Sequence, residues 1–208
     1  MRIAVLANDE LKSELMEQGL TGNMNIEWPA AIPAIKAADA CIDLLFNDSG
    51  ERLDKLKQTG SSLIIIHSPA ITLDQLPQNF VRINGWPTFL KRPIAEAACN
   101  NDADKEKVIR IFGTFNKTIE WVPDIPGFIT ARVISMIINE AYFALQDEVS
   151  TKEEIDTAMK LGTNYPFGPF EWSKKIGLKN IYVLLNKLSA NNKRYEPCAL
   201  LKQEALQQ

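Results

Sequence analysis

The most restrictive feature of the chain is the run Ser62–Ile66, "SLIII", in which three isoleucines follow one another without a polar residue. β-Branched residues favour strands, and an apolar strand without alternation suits a sheet that is covered on both faces. Two similar runs, Ile3–Ala7 and Ala40–Phe46, come before it, and helical spacing separates them over Glu10–Gln18 and Glu51–Gln58. Alternating strands and helices predict a mostly parallel sheet.

Weaker patterns predict strands at Asn25–Trp28 and Phe80–Asn84 and a brief helix over 32–39. Near residue 120 the pattern changes, and no further strand is predicted. Apolar residues at helical spacing then predict about five turns of helix: Phe128, Ile129, Val133, Ile137, Ala141 and Ala144. The sequence therefore predicts an α/β domain over 1–118 and an all-helical domain over 119–208.

The segment "VSTKEEIDTAMKLG" has the composition of a complete helix with both of its ends. Ser150 or Thr151 is the predicted N-cap, with Glu153 or Glu154 completing a capping box, and Gly162 is the predicted end. Pro169 stands where a proline favours the first turn of the next helix. The amphipathic segment "GLKNIYVLLNKL" predicts one more helix after it.

Composition excludes several classes of function. A formal net charge of -3 leaves no broad basic surface, which argues against nucleic acid as a partner. No apolar run approaches ~20 residues, so no membrane span is predicted, and no leader pattern opens the chain. Three widely spaced cysteines predict reduced thiols in the cytoplasm, and a single histidine, His67, argues against a metal site.

The helical half resembles the C-terminal domain of the 3-hydroxyacyl-CoA dehydrogenase family over about residues 119–202. The residues that carry the resemblance are Pro126-Gly127-Phe128, Asp156, Ala158-Met159, Gly162, Tyr165-Pro166, Gly168-Pro169-Phe170-Glu171, Gly177 and Tyr195-Glu196-Pro197. The resemblance implies a Rossmann-type NAD domain in front of this domain, here a shortened one. It also implies homodimers through the helical domain and an acyl-CoA pocket between the two domains.

A Rossmann pyrophosphate site needs glycines for a tight turn, for close approach to phosphate and for helix–strand packing. The resemblance places the three glycine positions on Ala7, Asp9 and Lys12, so the glycine fingerprint is missing. Asp9 and Glu10 would complement the dipole of the following helix but repel a dianionic ligand. The acidic residue that the resemblance implies at the end of the second strand, for the ribose hydroxyls, has no clear counterpart. The sequence therefore favours lost or altered NAD binding.

The family's reaction, as the resemblance implies it, needs a histidine that takes a proton from the substrate hydroxyl and a glutamate that orients this histidine. The stretch "RINGWPTFLKRPIAE" places Glu96 at the glutamate position and Asn84, twelve residues earlier, at the histidine position. An amide cannot act as a base at neutral pH. Ala131 replaces the family's asparagine after Pro-Gly-Phe.

The substrate-contacting serine of the family corresponds to Pro69 or Ala70, with Ser68 next to them. His67 directly follows the isoleucine run, at the carboxyl end of the sheet where α/β proteins bind ligands. It could supply a displaced base paired with Glu96, or it could be a partly buried polar residue that bonds to the backbone.

Three functions are compatible with these residues. The first is a non-catalytic relative that keeps the dimer and binds an acyl-CoA or another small ligand. The second is an active NAD-dependent oxidoreductase on a 3-hydroxyacyl-CoA or related 3-hydroxy acid, with a rearranged site at His67 and Glu96. The third is a structural partner of an active dehydrogenase subunit.

Overall fold

A computed structural model describes residues 1–36 and 38–207. Ala37, which falls within the helix predicted over 32–39, and Gln208 lie outside the described residues. The chain divides into two compact units, Met1–Phe128 and Ile129–Gln208. The boundary predicted after residue 118 falls within the last strand of the first unit.

The first unit is built on a seven-stranded sheet with the order β2-β1-β3-β4-β5-β6-β7. Its strands are β1 (Arg2–Leu6), β2 (Asn25–Glu27), β3 (Ala40–Asp43), β4 (Leu63–His67), β5 (Phe80–Ile83), β6 (Ile94–Ala98) and β7 (Thr118–Trp121). All neighbouring strands are parallel except β5 and β6, which are antiparallel. The prediction of a mostly parallel, Rossmann-like sheet is confirmed.

The isoleucine run lies in a strand, β4, that is covered on both of its faces. Successive strand residues point to opposite faces, and Ile65 packs in one apolar cluster with α1 (Asp9–Met16) and α3 (Asp102–Thr114). Ile64 and Ile66 belong to a second cluster on the other face, with Leu56 of α2 (Gly50–Gln58). Each strand residue in the run is therefore buried, as the absence of alternation predicts.

The structure differs from the predictions at several elements of the first unit. The elements β6, α3 and β7 are not predicted by the sequence patterns, yet β7 pairs in parallel with β6 and extends the sheet beyond residue 118. The helix predicted over 32–39 is a single 3-10 turn, Ile32–Ala34, after which Ile35 is extended. The strand predicted over Ala40–Phe46 ends at Asp43.

The second unit consists of the helices α4 (Thr130–Gln146), α5 (Lys152–Thr163), α6 (Pro169–Ile176), α7 (Leu178–Ser189) and α8 (Ala199–Leu206). Thr151 and Glu154 form the capping box of α5, one of the predicted pairs. The predicted end at Gly162 is wrong, because α5 continues to Thr163 and Asn164 takes the left-handed cap position. No helix among the described residues is long and apolar enough to cross a membrane.

Candidate functional site

The carboxyl ends of the parallel strands are where α/β sheets bind ligands, and the turn after β1 is the first of them. Asn8 is the N-cap of α1, and its side-chain oxygen accepts a hydrogen bond of 2.8 Å from the backbone N–H of Leu11. Asp9 and Glu10 are exposed in the first turn of the helix. The acidic residues thus complete a local helix start without any ligand.

This turn also contains the three positions that correspond to glycines in the resemblance. Ala7 packs against the apolar core, Asp9 is exposed, and the ammonium of Lys12 lies 4.7 Å from the ring centroid of Trp28. Asp9, at the second of these positions, carries a side chain where a dinucleotide pyrophosphate would need bare backbone, and the first-turn carboxylates add negative charge at the helix N-terminus. The residues present do not fit the pyrophosphate of NAD.

Asn84, directly after β5, lies beside Glu96, the middle residue of β6. The side-chain nitrogen of Asn84 donates to Oε2 of Glu96 over 3.2 Å, and the backbone N–H of Asn84 donates to the carbonyl of Glu96 over 3.1 Å. Both side chains are buried, at 3% and 7% exposure. The separation of twelve residues therefore becomes a direct contact, because β5 and β6 run antiparallel.

The side-chain amide of Asn84 holds Glu96 in place by a hydrogen bond and carries no charge at any physiological pH. Its side-chain oxygen also accepts a bond of 3.4 Å from the backbone N–H of Trp86. An amide so placed can donate to a carboxylate and accept from the backbone, but it cannot remove a proton from a substrate hydroxyl. The pair joins the end of β5 to the middle of β6, in the place where the resemblance implies a base and its orienting carboxylate.

His67 ends β4 and is half-buried. Its Nδ1 accepts a hydrogen bond of 2.9 Å from the backbone N–H of Gly85, so the neutral ring carries its proton on Nε2. Burial lowers the pKa of His67 to about 4, although a backbone hydrogen bond with Ile83 acts the other way. The one lone pair of the neutral ring is therefore already used, and the geometry favours the structural interpretation of this residue.

The segment after His67 is fixed by a buried ion pair that the sequence patterns do not reveal. Ser68 Oγ accepts from the backbone N–H of Ile71 over 3.3 Å. The fully buried guanidinium of Arg82 donates to the carbonyls of Ser68 and Pro69, over 3.0 and 3.2 Å, and pairs with Asp124. We refer to these contacts of Arg82 with Ser68, Pro69 and Asp124 as the lock; a movement of Ser68 or Pro69 would break its hydrogen bonds.

The lock also holds the end of the first unit. Asp124 accepts a bond of 2.7 Å from the backbone N–H of Leu73, and the N–H of Gly127 donates to the carbonyl of Pro69 over 2.7 Å. The Arg82 guanidinium stacks on the Phe128 ring at 4.7 Å. No local pattern marks these contacts in the sequence, since they join residues more than forty positions apart.

The remaining candidate residues are those that could bind a metal, the cysteines and Ala131. Within residues 1–36 and 38–207, no three His, Cys, Asp or Glu side chains form a group that could hold a metal ion. Cys41 and Cys198 are buried free thiols and Cys99 is a half-buried one, and burial raises the pKa of Cys41 to about 12. Ala131, at the position of the family's asparagine, is fully buried in α4.

Comparison with known proteins gives the same family from two directions. Residues 127–207 match the model for the C-terminal domain of 3-hydroxyacyl-CoA dehydrogenase. The 3-hydroxyadipyl-CoA dehydrogenase of Escherichia coli is 38% identical over 152 residues, which is 72% of this chain and 30% of that protein. The probable 3-hydroxybutyryl-CoA dehydrogenase of Bacillus subtilis is 30% identical over 152 residues, 71% of this chain and 52% of that protein.

Solved structures show the same fold. The (S)-3-hydroxybutyryl-CoA dehydrogenase of Ralstonia eutropha superposes with a TM-score of 0.77 at 18% identity, over 99% of this chain and 93% of that one. The 3-hydroxybutyryl-CoA dehydrogenase of Escherichia coli gives 0.63 at 34% identity, over 70% of this chain and 32% of that one. The chain spans between 30% and about half of the length of the curated relatives named above. The chain belongs to the 3-hydroxyacyl-CoA dehydrogenase family, whose C-terminal domain it contains.

Proposed function

We propose that this chain binds an acyl-CoA or a similar thioester and does not transfer hydride to NAD by the family's mechanism. The observation that carries the proposal is the hydrogen bond between Asn84 and Glu96, because an amide occupies the position at which the resemblance implies the proton-accepting histidine. The names of the two relatives described above are those of enzymes that act on CoA thioesters, which supports this ligand class.

The turn after β1 supports the loss of NAD binding independently. Asn8 caps α1 with its own side chain, and Asp9 and Glu10 would lie against the phosphates of a dinucleotide. A site that has lost both the base and the phosphate turn has lost the two parts that hydride transfer requires. The ligand-binding role is then the part of the family's function that this chain retains.

The alternative of an active enzyme with a displaced base has less support. Such an enzyme would use His67, whose Nδ1 is bonded to the N–H of Gly85 and whose pKa burial lowers to about 4. A base with that pKa takes up protons poorly at neutral pH. Glu96, the partner that this alternative requires, is instead bonded to Asn84.

The test combines binding with turnover. We expect butyryl-CoA to raise the melting temperature of the wild-type protein, since a ligand that binds the native state stabilises it by mass action. We expect no NADH to form from 3-hydroxybutyryl-CoA and NAD. NADH formation that disappears in His67→Ala would contradict the proposal, and so would the absence of any shift with butyryl-CoA.

We also propose that the chain forms a homodimer through its helical unit in the cytoplasm. The family resemblance supports the dimer, and three free thiols support a reducing compartment. A second candidate is a structural partner of an active dehydrogenase subunit, and the match of residues 127–207 to the family's C-terminal domain supports it equally. Light scattering on the purified chain separates the two, because a monomer at micromolar concentration would contradict the homodimer.

A further inference from the structure

The segment Thr88–Arg92, between β5 and β6, is held in place by side chains of other elements. The backbone N–H of Thr88 donates to Oε1 of Glu14 in α1 over 2.6 Å. Gln18, just after α1, donates from its side chain to the carbonyl of Lys91 over 2.8 Å. We refer to Thr88–Arg92 as the pinned segment.

A buried lysine fixes the rest of the pinned segment. The ammonium of Lys117 donates to the carbonyl of Leu90 and, over 2.8 Å, to that of Arg92. Lys117 is only 3% exposed, and burial lowers its pKa, although Glu14 and Glu17 oppose this effect. A buried ammonium that gives its hydrogens to two carbonyls holds that backbone in one conformation.

The pinned segment begins in a conformation that is costly for its residue. Thr88 has φ +77°, in the left-handed region that β-branched residues rarely occupy. Such a residue persists only where the surroundings over-determine it, and such residues cluster at ligand sites. Glu14 supplies the contact that holds it here.

The pinned segment presents the guanidinium of Arg92. This group lies 4.8 Å from the ring centroid of Phe89, and its Nε donates to the carbonyl of Phe89 over 3.5 Å. Within the part of the chain that the structure describes, no carboxylate oxygen lies within 4.0 Å of it and neither terminal nitrogen has a hydrogen-bond partner. Arg92 is half-buried, and Glu96 is the anionic group whose charge acts on it.

The other arginines of the first unit differ in this respect. Arg2, Arg52 and Arg82 each pair with a carboxylate, of Glu27, Asp43 and Asp124 respectively. Arg110 has no such partner among the described residues, but it is exposed on α3. A half-buried guanidinium loses part of its hydration and gains most from an anion that replaces it.

The position of Arg92 is also that of a ligand site. It lies just before β6, and because β6 is antiparallel to β5 its first residues lie at the edge where β4 and β5 end. Asn84 and Glu96 stand at that same edge. Ligands of α/β sheets bind there.

We propose that Arg92 binds an oxyanion, a carboxylate or a phosphate, of the ligand that this chain takes at the carboxyl edge of its sheet. The inference rests on the proposed function and names the anionic part of that ligand. The planar guanidinium offers two parallel N–H donors, a geometry that carboxylates and phosphates match. The pinned segment fixes the backbone that carries this donor pair before the ligand arrives, which reduces the entropy cost of binding.

The experiment compares wild type with Arg92→Gln, Arg92→Lys and Arg110→Gln by calorimetric titration. The probes are butyryl-CoA, adipyl-CoA, whose acyl chain ends in a carboxylate, inorganic phosphate and free adipate. We expect Arg92→Gln to weaken binding by about 10- to 100-fold, the effect of losing a charge-assisted bidentate pair. Arg92→Lys, which keeps the charge, should show a smaller loss and Arg110→Gln none.

The probes separate the two sources of the oxyanion. A loss confined to adipyl-CoA and adipate assigns Arg92 to a carboxylate, and an equal loss for both thioesters and for phosphate assigns it to a phosphate. Unchanged binding of every probe in both Arg92 variants overturns the inference while leaving the proposed function intact. If wild type binds phosphate or adipate but neither thioester, the proposed function fails, and the loss in Arg92→Gln still decides the inference. Wild type that binds none of the four probes overturns both.

Discussion

The replacement Gly168→Ala tests the packing of the helical unit at its tightest point. The backbone of Gly168 is in the extended region that any residue adopts, with φ -75°. A Cβ built there would nevertheless lie 2.2 Å from Oδ1 of Asp156 and 2.5 Å from its Cα. Asp156 cannot move away freely, since its carboxylate accepts from the N–H groups of Phe170 at 2.8 Å and Glu171 at 3.1 Å.

The expected loss follows from the two contacts that must give way. A forced shift in a packed core costs about 1–3 kcal/mol. A hydrogen bond to a charged group contributes about 1.5–3 kcal/mol, and the displaced Asp156 keeps at most one of its two. Together these losses lower the free energy of unfolding by about 3–5 kcal/mol.

Urea unfolding followed by far-UV circular dichroism measures this loss. Gly162→Ala is the matched control, because Gly162 lies within α5 and a Cβ there meets nothing within 4 Å. Alanine favours a helix interior over glycine by about 0.5–1 kcal/mol, so this variant should be more stable than wild type. The reasoning is refuted if Gly168→Ala changes stability by less than about 1 kcal/mol, the typical effect of a substitution without a specific mechanism.

Two other predictions concern buried charge in the first unit. Asp43→Ala removes the fully buried partner of Arg52 and should lower the free energy of unfolding in urea by about 3–5 kcal/mol. Lys55→Ala removes an exposed pair with Glu51 and should lower it by less than ~1 kcal/mol. Equal effects of the two variants would contradict this prediction. The single histidine, His67, should give a proton NMR resonance without a titration midpoint near 6.5. Because the folded pKa of His67, about 4, lies below its unfolded value, burial of the neutral ring stabilises the fold above pH 6.5, and this contribution is lost as the pH falls through 4. A titration midpoint at 6.5 would contradict the burial of the ring.

The sequence predicts the elements whose signals are local. The isoleucine run, the cap residue Thr151 and the first-turn Pro169 each act within a few residues, and the structure has the corresponding strand and helices. The strand β6, "IAEAA", gave no strand signal because alanine and glutamate have low β-propensity. Pairing with β5 and β7 overrides that preference.

The helix α3 could have been predicted. Asn101 is a cap residue whose side chain accepts from the N–H of Asp104, and Val108, Ile111 and Phe112 recur at helical spacing on its buried face. Its charged first half, "DADKEK", hides this pattern in a short window. Once α3 is recognised, β7 follows from the need to return the chain to the sheet.

The candidate site divides in the same way. The separation of Asn84 and Glu96 could be read from the family resemblance, and the structure brings the two side chains to 3.2 Å. The lock between Arg82 and Asp124 and the contacts of Lys117 could not be read, since nothing local in the sequence pairs residues that are 25 to 42 positions apart. These contacts depend on the sheet order, which the sequence does not specify in its second half.

A calorimetric titration with NADH tests the central claim most directly, with butyryl-CoA titrated under the same conditions. The acidic turn after β1 and the amide at Asn84 predict that butyryl-CoA binds with saturation while NADH gives no saturable heat. Stoichiometric binding of NADH to the wild-type protein would contradict the account.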